Sequence, residues 1–140
     1  MSSIEWIRHG DQVLAVIIPA DYSPAATEFV TPDTYKQQVG FIVYPAGGEI
    51  VPHIHHEMPR SLLGTSEVLV VKRGECEVDF YTQTKEYVTS RRLRTGDVLV
   101  LVGGGHGFRM LQDTVFLEIK QGPYIGPQEK ERFEPHRRQV

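Results

Sequence analysis

Gly47-Gly48-Glu49-Ile50-Val51-Pro52-His53-Ile54-His55-His56-Glu57 gathers three of the chain's six histidines into four positions and follows them with a carboxylate. In extended backbone, residues i and i+2 project to the same side, about 7 Å apart along the strand. His53 and His55 can therefore converge on one point, as two imidazole ligands of a single metal ion must. A helical reading fails. A zinc-protease helix needs histidines at i and i+4 around a glutamate, whereas Pro52 and Pro59 bracket this run and oppose helix. Read alone, the stretch also suits a histidine-rich surface turn with no ligand role.

A second histidine segment lies downstream in Gly96-Asp97-Val98-Leu99-Val100-Leu101-Val102-Gly103-Gly104-Gly105-His106-Gly107-Phe108. It reads as a Gly-Asp turn, an apolar strand, a glycine turn and a histidine that opens the next strand. Between the two segments, Glu67-Val68-Leu69-Val70-Val71-Lys72-Arg73-Gly74 reads as a strand that begins with a carboxylate and ends at a turn glycine.

This arrangement resembles the cupin family. Gly47 and His53, the pair His53 and His55, and Glu67 with Gly74 fall where the first cupin motif has its glycine, its two histidines, its glutamate and its closing glycine; His106 takes the place of the second-motif histidine. The resemblance runs from about Gly40 to Gln121. His56 to Ser66 is longer than the corresponding family spacing and reads as an inserted loop. Val102 stands at the usual proline and Met110 at the usual asparagine. The resemblance implies an all-β cupin double-stranded β-helix, a jelly-roll barrel. It also implies one divalent transition metal (Fe, Mn, Ni or Zn) held by His53, His55, Glu67 and His106. Glu57, close behind His55, remains a competitor for the carboxylate position.

Composition fits a small globular domain. A chain of 140 residues can bury one hydrophobic core, so a single cupin domain over 1–140 is expected. Its core would span about 36–121, preceded by N-terminal strands in 4–19 and followed by a charged tail, 122–140. The net charge of −3 and scattered basic residues leave no footprint for nucleic acid. The only basic concentration, Arg91-Arg92-Leu93-Arg94, reads as the solvated face of a strand. A single cysteine, Cys76, excludes an internal disulfide and, on the inner face of its strand, reads as a buried inert thiol. No stretch approaches a membrane span, and the N-terminus lacks an apolar signal core, so we expect a cytoplasmic protein.

Short runs rich in Val, Ile, Leu, Phe and Tyr predict strands at Gln12–Pro19, Gln38–Pro45, Glu49–His55, Glu67–Lys72 and Glu75–Thr82. Further strands are predicted at Glu86–Leu93, Val98–Val102, His106–Leu111 and Val115–Gln121. Lys72-Arg73-Gly74-Glu75 reads as a hairpin turn. One short helical turn is expected within Gly126–Phe133. Glu131 to Val140, mostly charged, reads as a frayed end with His136 solvated. Strand parity sends Val51 inward with His53 and His55, Leu69 and Val71 with Glu67, and Phe108 and Met110 with His106.

Two or three imidazoles and one carboxylate leave positions open on a five- or six-coordinate ion. With the cupin resemblance this implies a metal-dependent enzyme acting on a small polar metabolite, carbohydrate-like or an oxygenated acid, of the isomerase, epimerase or dioxygenase type found in that family. The alternative is a non-catalytic metal- or ligand-binding cupin. Arg60 in the inserted loop, with Phe108 and Met110, is the expected substrate-contacting set; Arg109 and Lys120 are further candidate anchors for an anion. The apolar N-terminal strands predict a homodimer.

Overall fold

Two apolar strands joined by the shortest of turns begin the chain. β1 (Glu5–His9) and β2 (Gln12–Ile18) pair antiparallel, and Gly10 supplies the positive φ of 58° that the turn requires. The computed structural model describes residues 1–136 and is all-β apart from one 3-10 turn, Pro127–Glu129. Among these residues, no helix is long and apolar enough to cross a membrane. The chain forms two compact units: Met1–Tyr22 with Thr65–Val140, and Ser23–Gly64.

The larger unit holds two antiparallel sheets. The remaining strands of the first are β5 (Glu67–Arg73), β8 (Val98–Leu101) and β10 (Val115–Lys120), and its order is β1-β2-β8-β5-β10. The second contains β6 (Glu75–Tyr81), β7 (Tyr87–Arg94) and β9 (Gly105–Met110), in the order β7-β6-β9. Ile17, Leu69, Val71, Leu99 and Leu101 from the first meet Cys76, Val78, Phe80 and Leu93 from the second in one buried cluster. Period-two alternation produces this face: in β6, Cys76, Val78 and Phe80 are fully buried. The arrangement is that of a β-sandwich. Among the described residues, β10 ends the first sheet and β9 the second, and each leaves an edge that no strand pairs.

Lys72–Glu75 is not a hairpin. β5 and β6 belong to different sheets, and the chain crosses between them at Gly74. Gly74 has φ 95°, and a Cβ there would lie 2.2 Å from the Asp113 carbonyl oxygen. The glycine therefore serves a close crossing under the β9–β10 connection, where a hairpin glycine would need only the turn dihedral. The Gly96-Asp97 turn forms as expected. The Asp97 carboxylate accepts the backbone N–H groups of Ala20 and Arg94 at 2.9 and 2.8 Å, closing the path from β7 back to β8. The basic cluster is not simply solvated: Arg91 pairs with Glu5, and Arg92 and Arg94 converge on Glu75, while Leu93 between them is buried.

The C-terminal segment departs from the frayed reading as far as residue 136; residues 137–140 lie outside the described ones. Phe133 packs edge-on against Tyr81, and the His136 ring stacks on Tyr87 at 3.7 Å. The His136 backbone N–H donates to the Tyr81 hydroxyl at 2.9 Å. Aromatic burial outweighs the polar composition of this stretch.

The smaller unit is mostly loop. β3 (Glu28–Phe29) and β4 (Gly40–Phe41) pair, and the Phe29 ring lies so close to Gly40 that a Cβ there would meet it at 2.6 Å. Thr27 and Thr31 accept the Val43 and Val39 amides through their hydroxyls, each at 2.9 Å. The Lys36 ammonium donates to the Leu63 carbonyl, holding the end of the unit to its own loop. Of the expected strand Gln38–Pro45, only Gly40–Phe41 pairs, and Glu49–His55 forms no strand. A strand needs a ladder partner. Within this unit that stretch has none, and Pro52 removes a donor from its centre.

Candidate metal centre

His53 and His55 follow a turn at Pro45–Gly48, where the Gly48 amide donates to the Pro45 carbonyl at 3.0 Å and Gly47 takes φ 84°. Both histidines are exposed, as are Ile50, Val51 and Ile54, so no inward and outward faces are distinguished here. The two rings nevertheless approach each other, with centroids 5.2 Å apart and planes inclined by 66°. Metal–nitrogen bonds of about 2.0–2.1 Å put each imidazole centroid roughly 3 Å from a shared ion, and hence the two centroids about 5 Å apart at a tetrahedral angle. The observed pair has that separation. His53 Nδ1 lies 2.8 Å from the Val51 carbonyl oxygen. A carbonyl can only accept, so Nδ1 carries a proton, and Nε2 is the nitrogen by which this ring would ligate.

The other two expected ligands meet within the larger unit. Glu67 opens β5, His106 lies on β9, and the Glu67 Oε2 to His106 Nε2 distance is 3.6 Å. That is long for a hydrogen bond, but two donors about 2.1 Å from one ion stand roughly 3.0–3.6 Å apart. The His106 imidazole beside it holds the Glu67 carboxyl below the usual range, against the opposing effect of burial; Lys120 and Lys130 act in the same direction. Glu67 is therefore ionised and competent as a ligand at neutral pH.

Strand register places His106. It pairs with Phe80 across the β6–β9 ladder, its ring meets that of Phe108 edge-on at 5.9 Å, and Phe108 packs on Phe116. Gly104 precedes it with φ 67°, where a Cβ would lie 2.3 Å from the Tyr81 carbonyl oxygen, so the glycine run brings backbone close beneath the histidine. Phe108 is partly buried and Met110 is 49% exposed. Met110 thus marks the open end of the inner face.

Glu57 and Arg60 lie in the exposed stretch without regular structure that follows His55. Arg109 pairs with Glu77 at 3.3 Å and is already engaged. Burial pushes the Cys76 thiol up to about 11 and keeps it protonated, which suits the inert reading. Within neither unit do three His, Cys, Asp or Glu side chains of the described residues gather at one point. Each unit instead presents one pair.

Spacing in the sequence points to His53 and His55, and the cupin resemblance to Glu67 and His106. Lys120 is among the candidate anchors expected from the sequence; Lys130, which follows the turn Pro127–Glu129 after β10, is not. Comparison with known proteins finds no matching family, no similar curated protein and no similar solved structure.

Proposed function

We propose that the chain is a metal-binding protein of cupin type in which His53, His55, Glu67 and His106 hold one divalent transition ion (Fe, Mn, Ni or Zn). The observation that carries this reading is the internal spacing of the two pairs. Each separation, 5.2 Å between imidazole centroids and 3.6 Å between carboxylate and imidazole, is what a shared ion imposes on its ligands. The ionised state of Glu67 is the one a ligand needs, and the Val51 contact of His53 directs Nε2 to that role.

The open edges favour a closed jelly roll as the metal-bound form. Among the described residues β9 and β10 each have one neighbouring strand and an unpaired outer edge, while Ile42, Tyr44, Ile50, Val51 and Ile54 are exposed apolar residues in stretches with almost no ladder of their own. The function that follows is a metal-dependent enzyme for a small polar metabolite. The ion would supply Lewis acidity at its open positions. Glu67 and His106 would orient it, and Phe108 would keep that side of the site dry.

Elemental analysis of the untagged protein should give close to one ion per chain. Glu67→Gln should weaken binding by about tenfold or more while Glu57→Gln leaves it unchanged. If only the Glu57 change weakens binding, the carboxylate ligand is misassigned. If the wild type holds no metal from any supplied source, the reading falls.

A homodimer belongs to the same proposal. β1 is a free edge of the five-stranded sheet, with Trp6 only partly buried on it, and a second copy can extend that edge. Light scattering at micromolar concentration should read twice the chain mass of 15.9 kDa; a monomer mass overturns the dimer.

A further inference from the structure

Lys120 stands directly opposite Glu67 in the β5–β10 ladder. Opposed residues of an antiparallel pair project from the same face, so the ammonium rises on the side of the sheet that carries the Glu67 carboxylate and faces His106. Several other cations of this unit are committed elsewhere. Arg91 is held by Glu5, Arg92 and Arg94 by Glu75, Arg109 by Glu77 and Lys85 by Glu131. Neither Lys120 nor Lys130 forms an ion pair among the described residues.

The surroundings of Lys120 hold it in place without neutralising it. Its Nζ lies 5.5 Å from the centroid of the Tyr124 ring, in the loop that follows β10. Tyr124 and Ile125 are 69% and 72% exposed, so this loop offers an open apolar rim beside the charge. Lys130 follows the turn Pro127–Glu129, and both lysine charges help to lower the pKa of the Glu67 carboxyl. Glu118, two residues before Lys120 on the same strand face, opposes them. Glu67 and Glu118 balance Lys120 and Lys130, and a divalent ion would tip the local charge to positive.

We propose that this end of the sandwich binds a small anion, a carboxylate or phosphate group on the substrate, with Lys120 as the contacting ammonium, Lys130 as a second cation and Tyr124 as the residue that positions Lys120. The assignment rests on the metal reading above and names its substrate class. A lysine ammonium is a compact charge with three rotatable donors, suited to either oxyanion without demanding a planar fork. Arg60 belongs to the other unit of the chain and has no part in this assignment.

Calorimetric titration of the full chain with malonate and, separately, with inorganic phosphate distinguishes the two oxyanions, with metal content measured on the same sample. Lys120→Ala is expected to weaken binding of the preferred anion by about tenfold or more. Lys120→Arg should retain most of the affinity, and neither change should remove metal. Affinity for both anions unchanged in a Lys120→Ala/Lys130→Ala variant, or no binding of either anion to the wild type, overturns the proposal. Lysine-dependent binding in a protein that holds no metal overturns the metal reading and leaves the lysine assignment standing.

Discussion

Replacing His53 alone by alanine should reduce metal affinity by about a hundredfold or more, and His106→Ala alone should do the same. The two residues belong to different units of the chain, and that makes the single variants decisive. If each unit bound its own ion, either change would leave the other site loaded and metal content would fall only by half. If the four residues serve one ion, each single change removes nearly all of it and the double variant loses little more. Thermal melts provide a second readout. An ion that binds only the folded chain stabilises it by mass action, about 2.7 kcal/mol at a hundred times Kd, so added metal should raise the Tm of the wild type and not of either variant. Equal metal content in the wild type and the His53→Ala/His106→Ala variant would sink the assignment.

Phe80→Ala should cost about 3–5 kcal/mol of stability, a large share of the roughly 5–15 kcal/mol that holds a domain of this size. Phe80 is the largest side chain that is wholly buried, on the central strand of the three-stranded sheet, within the cluster that joins both sheets. Its removal leaves a cavity in a region bonded on both sides, where β7 and β9 limit collapse. Because Phe80 is the ladder neighbour of His106, the same change should loosen the candidate centre. Urea titration measures the loss as a shift of midpoint, with exposed Tyr124→Ala as a control expected to change little. A cost below about 1 kcal/mol would show that the two sheets do not share the core described here.

How far the sequence could be read depended on where each strand finds its partner. β5 to β10 were legible because alternation marks a buried face whatever the neighbour: Cys76, Val78 and Phe80 announce theirs in sequence and are fully buried. Alternation does not say which sheet a strand joins. Lys72–Glu75 therefore looked like a hairpin, because a positive-φ glycine serves a crossing as well as a turn. Glu49–His55 had the composition of a strand, but composition cannot supply a ladder, and Pro52 leaves that stretch dependent on a partner from elsewhere. Spacing located the His53–His55 pair, and the structure adds the orientation of its rings. The docked C-terminus escaped notice because Phe133 and His136 are isolated in a polar stretch, and only Tyr81 and Tyr87 give them a place to pack.

From β5 onward the chain passes repeatedly between the two sheets, β5 in one, β6 and β7 in the other, β8 back, β9 across and β10 back again. Neither sheet is therefore built from one continuous stretch. During synthesis, β2 has to wait for β8, and β5 acquires its second neighbour only with Val115–Lys120. At about 5–20 residues per second the nascent chain carries unpaired apolar strands for on the order of ten seconds before either sheet can be completed. That interval, set by the order of the strands and not by their composition, is when this protein is most exposed to mispairing with another copy of itself.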